Sequence, residues 1–141
     1  MFLKVAPDLE PGDHGRIVRV AIDCGIDALI VANTTVSRPP LTSAHRGEAG
    51  GLSGRPLKAL ALDQLRAFSA EAGGALPLIA VGGIESADDA WDRISSGASL
   101  VQLYSALVYE GPGLARRIVR GLVERLKHSG KSSIAEAVGS G

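Results

Sequence analysis

Short apolar runs alternate with longer amphipathic stretches along the chain. Four runs have the length of a strand, at residues 2–6, 28–32, 76–81 and 100–104. After each of them, apolar residues recur at spacings of three and four, which is typical of parallel strands joined by crossover helices. The run at 28–32 contains no polar residue, so we expect that strand to be covered on both faces.

The amphipathic stretches predict helices over residues 12–24, 56–71, 87–96 and 112–128, with a terminal turn over 134–138. Eight apolar residues of the first two helices are expected to face the core: Ile17, Val20, Ala21, Cys24, Leu57, Leu60, Leu65 and Phe68. Cys24 is accordingly interpreted as a buried structural thiol.

Four βα units in a row amount to half of a (β/α)8 barrel, which typically needs about 250 residues. A chain of 141 residues cannot close such a barrel alone. A small open four-stranded α/β sheet has the same periodicity, so the pattern leaves both folds open. A long polar segment at residues 37–53 follows the second strand, and connections of this length are usually functional or mobile.

Composition excludes several classes of function. The chain is 45% hydrophobic with a formal net charge of zero, which suits a globular domain and gives no electrostatic footprint for nucleic acid. Cys24 is the only cysteine, and His14, His45 and His128 have no metal-ligand spacing and are interpreted as surface residues. We therefore expect no nucleic-acid partner and no metal. The first apolar run is too short for a signal peptide or a membrane span.

The residues suited to binding or catalysis lie in or just after the strands, where the loops of a parallel barrel form its mouth. They are Lys4 within the first strand, Asn33 and Thr34 after the second, Gly82 and Gly83 after the third, and Tyr104 and Ser105 after the fourth. Paired glycines let backbone N–H groups approach a phosphate closely. A tight turn without a ligand is an equally simple interpretation of that pair.

Lys4 lies in an otherwise apolar strand, where an ammonium group is costly to bury without an anion or acceptor. A cofactor would supply that partner, but a position from which the ammonium reaches water is also compatible with the pattern. Asn33 and Thr34 offer amide and hydroxyl groups suited to a planar carboxylate or imide ligand, although both are common turn residues.

Five strings in this sequence resemble the class 2 (quinone-linked) dihydroorotate dehydrogenases, in that family's order and spacing. They are Lys4-Val-Ala-Pro-Asp-Leu9, Ile30-Val-Ala-Asn-Thr-Thr-Val-Ser-Arg-Pro39, Gly50-Gly-Leu-Ser-Gly-Arg-Pro-Leu57, Val81-Gly-Gly-Ile84 and Gly97-Ala-Ser-Leu-Val-Gln-Leu-Tyr104. The similarity extends over residues 3–139. It implies that residues 1–141 form a single segment, the carboxy-terminal four βα units of a TIM (β/α)8 barrel that binds FMN at its mouth.

The resemblance also implies an activity and roles for individual residues. The family oxidises dihydroorotate to orotate in pyrimidine biosynthesis, with a quinone as electron acceptor. By the resemblance, Lys4 contacts the flavin ring, and Asn33 and Thr34 bind dihydroorotate. The remaining cofactor-binding positions are Ala32, where many members carry threonine, and the phosphate-holding Gly54, Gly83, Tyr104 and Ser105.

The family's serine general base and its amino-terminal helices for quinone and membrane have no match in this sequence. The resemblance therefore implies that this chain carries no catalytic residue, is inactive alone, and needs the missing half-barrel or self-association. It also implies a peripheral membrane location, on the cytoplasmic face of the inner membrane in a bacterium. The alternatives are a non-catalytic phosphate- or flavin-binding half-barrel module, and another phosphate-binding barrel enzyme, against which the string Asn33-Thr34-Thr35 argues.

Overall fold

Strands and helices alternate in the order that the apolar pattern predicts. The computed structural model describes residues 1–141. The elements are β1 (Phe2–Val5), α1 (Asp13–Asp23), β2 (Ala28–Val31), a 3-10 turn (Arg55–Leu57), α2 (Lys58–Ala72), β3 (Leu78–Val81), α3 (Ala87–Ser95), β4 (Ala98–Gln102), α4 (Ser105–Glu110), α5 (Gly113–Ser129) and α6 (Ile134–Ala137). None of these helices combines the length and the apolarity needed to cross a membrane.

The four strands form one parallel sheet in the order β1-β2-β3-β4. Because every strand runs in the same direction, all the carboxyl ends lie along one edge of the sheet. β2 is buried except for the half-buried Ile30, so the predicted cover is complete on one face of the strand and partial on the other. The sequence thus places its strand-end residues on a common edge.

The hydrophobic core lies between one face of the sheet and the helices. Val5, Val31 and Ala80 are register partners on that face and pack in one cluster with Phe68 and Ile118 of the helices. Side chains alternate between the faces of a strand, so the neighbouring register row occupies the opposite face. That row is Lys4, Ile30, Ile79 and Leu100.

The structure corrects the predicted faces of the first helix. Val18 and Ala21 are buried in α1, whereas Val20 is 60% exposed. Cys24 is exposed at the carboxyl end of the helix, so its interpretation as a buried thiol was wrong. A spacing of three and four residues is compatible with two adjacent stripes, and the stripe of Val18 and Ala21 is the one that meets the core.

Two residues and one helix also differ from the prediction. His14 is partly buried rather than on the surface: its Nε2 lies 2.7 Å from Gln64 Oε1, and its ring meets that of Phe68 edge-on at 4.8 Å. Leu60 is only half-buried, and Ala61 takes the inward position in α2. The helix α4 was not predicted, because its six residues are too few to show a helical period.

Candidate active site

A cavity of about 860 Å³ opens at the edge where the strands end. All eight residues predicted to bind cofactor or substrate line it, namely Lys4, Ala32, Asn33, Thr34, Gly54, Gly83, Tyr104 and Ser105. Lys4 lies in β1, and the other seven lie beyond the carboxyl ends of β2, β3 and β4, in segments that are far apart in the sequence. The fold therefore brings the predicted residues together, while their individual roles stay predictions.

Lys4 projects into this cavity from the helix-free face of the sheet. Its neighbour Val5 packs into the core, so alternation along β1 turns Lys4 to the opposite side. Lys4 is exposed and forms none of the salt bridges of the chain. A positive charge is thus available on the cavity wall for an anionic or electron-rich ligand.

Asn33 and Thr34 are held beside Lys4 by the backbone. The Asn33 N–H donates to the carbonyl of Val5 at 2.8 Å, and the Ala32 N–H donates to the carbonyl of Val81 at 3.2 Å. The Asn33 side-chain oxygen accepts from the Thr34 N–H at 2.9 Å. These bonds leave the Asn33 amide nitrogen and the Thr34 hydroxyl at the cavity surface.

Four backbone N–H groups line the same cavity and suit an anion. We call this set the anion cradle and define it as the N–H groups of Gly54, Gly83, Ile84 and Ser105. The N–H groups of all four donate to no acceptor within the chain. Two of the segments are in contact, because Ser105 Oγ lies 2.9 Å from Ser53 Oγ and a β-carbon on Gly54 would lie 3.5 Å from Ser105 Cβ. Gly83 and Ile84 line the same cavity. Unpaired N–H groups gathered in this way suit a phosphate.

Gly83 is required by the close approach of two backbones. Its φ is +68°, and a β-carbon on it would lie 2.6 Å from Lys58 Cα, in the first turn of α2. The missing side chain would therefore point at α2 rather than into the cavity. The glycine pair therefore forms the tight turn, and its role in binding a phosphate stays a prediction.

Carboxylates neutralise the lysine at the start of α2. Lys58 Nζ lies 2.9 Å from Asp89 Oδ1 and 3.2 Å from Glu85 Oε1, and Arg55 Nε lies 2.9 Å from the same Glu85 oxygen. Burial lowers the pKa of Lys58, but its bonds to Asp89 and Glu85 raise that pKa more, so the net shift is upward. Lys58 consequently supports the wall of the cavity and is not a free cation for a ligand.

Asp8 anchors the first part of the long loop. It accepts from Thr35 Oγ1 at 2.5 Å, from the Val36 N–H at 3.0 Å and from Ser37 Oγ at 2.9 Å. Burial raises the pKa of Asp8, but these hydrogen bonds outweigh burial and hold the pKa below its ordinary value. Thr35 is itself buried and pairs with Leu52 across the loop, in both directions.

Arg38, near the start of the same loop, binds two backbone carbonyls near its end. Its Nη2 donates to the carbonyls of Gly50 at 2.6 Å and Glu48 at 3.0 Å. A predicted functional loop is therefore anchored at both ends beside Thr34. The roles of Asp8 and Arg38 were missed by sequence reasoning, although both residues lie in the strings that carry the family resemblance.

Arg93 was also missed. It is 2% exposed, and its Nη2 donates to the carbonyls of Lys58 at 2.7 Å and Gly82 at 3.1 Å. A signal was available, because Arg93 lies three residues after Ala90 and next to Ile94, on the buried stripe of α3. A charged residue on an apolar stripe indicates a specific buried partner.

Comparisons with known proteins agree with this geometry. A family model described as dihydroorotate dehydrogenase matches residues 1–126. Proteins named dihydroorotate dehydrogenase (quinone) from Novosphingobium aromaticivorans and Erythrobacter litoralis are 62% and 64% identical over 140 residues, covering 99% of this chain and 40% and 41% of those proteins. The crystal structure of a ligand-free DHODH from Eimeria tenella matches with a TM-score of 0.94 at 42% identity, over 99% of this chain and 39% of that one.

The structural match decides between the two folds that the sequence left open. The four βα units are half of a TIM barrel and not a small open sheet. The chain spans about 40% of the length of the curated relatives it matches. On the family model, the identities and the shared fold, the chain belongs to the class 2 branch of the dihydroorotate dehydrogenase family.

Proposed function

We propose that this chain is the carboxy-terminal half-barrel of an enzyme that oxidises dihydroorotate to orotate with a quinone as acceptor. Within that enzyme it supplies the FMN-phosphate site and part of the substrate site. The observation that carries the proposal is the single cavity that unites Lys4, Asn33 and Thr34 with the anion cradle. A phosphate-bearing cofactor and a small planar substrate are the ligands that suit these two halves of the cavity.

The residues present fit an FMN phosphate. Four backbone N–H groups of the cradle lack an acceptor, and Tyr104 and Ser105 bring hydroxyl groups to the same wall. Ala32, in contrast, is buried and carries no hydroxyl, so it makes no hydroxyl contact to a cofactor. When bound, FMN supplies the electron-accepting chemistry for the oxidation of dihydroorotate.

Lys4 and the Asn33–Thr34 pair divide the remaining tasks. Lys4 places a positive charge where the flavin ring is expected, and that charge favours a developing negative charge more than a neutral ground state. The Asn33 amide and the Thr34 hydroxyl orient the substrate. Gly51 packs directly on the Thr34 side chain and fixes its position, since a β-carbon there would overlap Thr34 Oγ1.

The general base and the contacts to quinone and membrane are assigned to the part of the enzyme that this chain does not span. A peripheral association with a membrane, on the cytoplasmic face of the inner membrane in a bacterium, belongs to that part as well. The second candidate is a non-catalytic flavin-binding half-barrel that acts with a partner chain. It is favoured by the exposed apolar side chains on the helix-free face, Phe2 at 58% and Leu100 at 59%.

A full-length enzyme tests the proposal. We define the hybrid enzyme as this chain joined to the part of the Novosphingobium relative that it does not match. The purified hybrid enzyme is expected to carry FMN and to reduce a quinone when dihydroorotate is added. The complete relative is the positive control. A folded hybrid enzyme without FMN, or with FMN and no dihydroorotate oxidation, would contradict the proposed function.

The chain alone tests where the general base lies, and the hybrid enzyme separates the two candidates. With added FMN we expect no dihydroorotate oxidation above the background of free flavin, because the general base is assigned to the other half. A measured turnover above that background would show that the base lies in this chain. A hybrid enzyme that binds FMN without any oxidation, while the complete relative is active, would favour the non-catalytic module.

A further inference from the structure

The buried Arg93 is difficult to explain by the stability of the fold alone. Its two hydrogen bonds both use Nη2, and its Nε and Nη1 are buried with no partner in the chain. Burying a charge that is only partly paired is unfavourable, and apolar side chains of similar volume often stabilise such positions better. A residue that violates this rule is commonly found at a functional site, such as one that binds a ligand.

The carbonyl that Arg93 binds belongs to the peptide whose N–H lies in the anion cradle. The peptide between Gly82 and Gly83 is trans and planar, so its C=O and N–H point in opposite directions. Arg93 holds the Gly82 carbonyl on the side of α2 and α3. The Gly83 N–H of the same peptide is consequently turned away from the helices, and it has no acceptor within the chain.

Two consecutive glycines make this orientation insecure without such a bond. Gly82 and Gly83 have φ angles of +113° and +68°, and glycine also adopts negative φ readily, so the peptide between them can rotate at low cost. A cationic donor on the carbonyl opposes that rotation. It also polarises the peptide, which makes the N–H a stronger donor to an anion.

The same guanidinium nitrogen joins two walls of the cavity. Besides Gly82 it binds the carbonyl of Lys58, and Lys58 holds Glu85 and Asp89 through its ammonium group. The turn after β3 and the start of α2 are therefore held at a fixed distance, at the point where Gly83 touches the Lys58 backbone.

We propose that Arg93 is a positioning residue for the phosphate: it orients the Gly82–Gly83 peptide so that the Gly83 N–H faces the cradle, and it thereby favours FMN over a flavin without phosphate. This inference rests on the proposed function, because it takes FMN as the ligand. Arg93 itself does not touch the cofactor. Its effect is expected in the phosphate part of the binding affinity and not in the ring part.

The test compares FMN with riboflavin, which has the same ring and no phosphate. Dissociation constants of both are measured by fluorescence quenching on the apo form of the hybrid enzyme and of Arg93→Met and Arg93→Lys. Arg93→Met is expected to weaken FMN binding about tenfold to a hundredfold, the range for a hydrogen bond that involves a charged group. Riboflavin affinity is expected to stay within about twofold, and Arg93→Lys to recover much of the FMN affinity, since an ammonium group also binds carbonyls.

The control is Ile118→Val, a buried position of α5 that does not line the cavity. It is expected to leave the dissociation constants of both FMN and riboflavin unchanged. Equal losses of FMN and riboflavin in Arg93→Met, or unchanged FMN affinity, would overturn the inference while leaving the proposed function intact. A parent enzyme without FMN affinity would instead overturn the proposed function. If Arg93→Met does not fold, the neutral polar variant Arg93→Gln takes its place in the same comparison.

Discussion

At the scale of single residues, packing and binding at Gly83 both depend on the absence of a β-carbon. We expect Gly83→Val in the hybrid enzyme to lose FMN. A side chain here is strained at a φ of +68° and collides with Lys58, so the turn must move away from α2 and take the Gly83 and Ile84 N–H groups with it. Losing two charge-assisted bonds at about 1.5–3 kcal/mol each weakens binding by roughly a hundredfold or more.

The matched control is Gly74→Val. Gly74 has a φ of +83°, so the substitution introduces similar backbone strain, but nothing lies within 4 Å of its β-carbon position. That variant is expected to lose stability and keep its flavin. The absorbance of bound FMN per protein is measured for both variants. Full FMN content in Gly83→Val would show that the cradle does not hold the phosphate.

Lys4 is expected to separate binding from catalysis. Lys4→Ala should keep most of its FMN, because the phosphate anchor is elsewhere, and should oxidise dihydroorotate about 100-fold to 1,000-fold more slowly, the usual cost of removing one electrostatic contact from a transition state. Flavin content and single-turnover oxidation rates test this, with Lys127→Ala on the exposed face of α5 as control. The parental rate in Lys4→Ala would refute the role assigned to Lys4.

At the scale of elements, the long loop over residues 37–53 depends on the carboxylate of Asp8. The pKa of Asp8 is lower in the folded state than in the unfolded chain, so its contribution is complete above the unfolded pKa of about 3.9 and is lost as the pH falls through the folded value. We expect the protection of loop amides from hydrogen exchange, corrected for intrinsic rates, to be constant between neutral pH and about 4 and to fall below that.

Asp8→Asn provides the comparison for the same experiment. Its amide keeps one acceptor oxygen in place of the two carboxylate oxygens that bind Thr35, Val36 and Ser37. The variant should be less protected at neutral pH and should show no acid transition in the loop. Identical protection profiles for the two proteins would mean that Asp8 does not anchor this segment.

The elements also show what a sequence of this kind can reveal. The order of strands and helices was predictable because apolar runs and amphipathic stretches differ in period, and the strand-end residues were predictable because parallel strands end together. The helix α4 was not, since six residues are too few to show a helical period. The partners of Asp8 and Arg93 were not predictable from local patterns, because they lie 27 or more and 11 or more residues away. For Arg93 the buried stripe of α3 indicates only that a buried partner exists.

At the scale of the whole molecule, the two faces of the sheet are unequal. The helix side is a closed core, whereas the opposite face presents Phe2 and Leu100, each more than half exposed. β1 and β4 pair with only one neighbour each, so both outer edges carry free backbone groups. In a closed barrel that face becomes interior and those edges find partners. The half-barrel alone therefore leaves apolar surface and two edges in water.

This imbalance predicts that the isolated chain associates, either with itself or with the other half of the barrel. Unpaired strand edges and exposed apolar side chains favour contacts between chains. Light scattering across a broad range of concentrations should show assemblies larger than a monomer, and the double variant Phe2→Lys with Leu100→Lys should reduce them. Val20→Lys is the control, because Val20 is 60% exposed but lies on α1, on the helix side. A folded monomer at all concentrations, or an equal effect of Val20→Lys, would show that the helix-free face does not drive association.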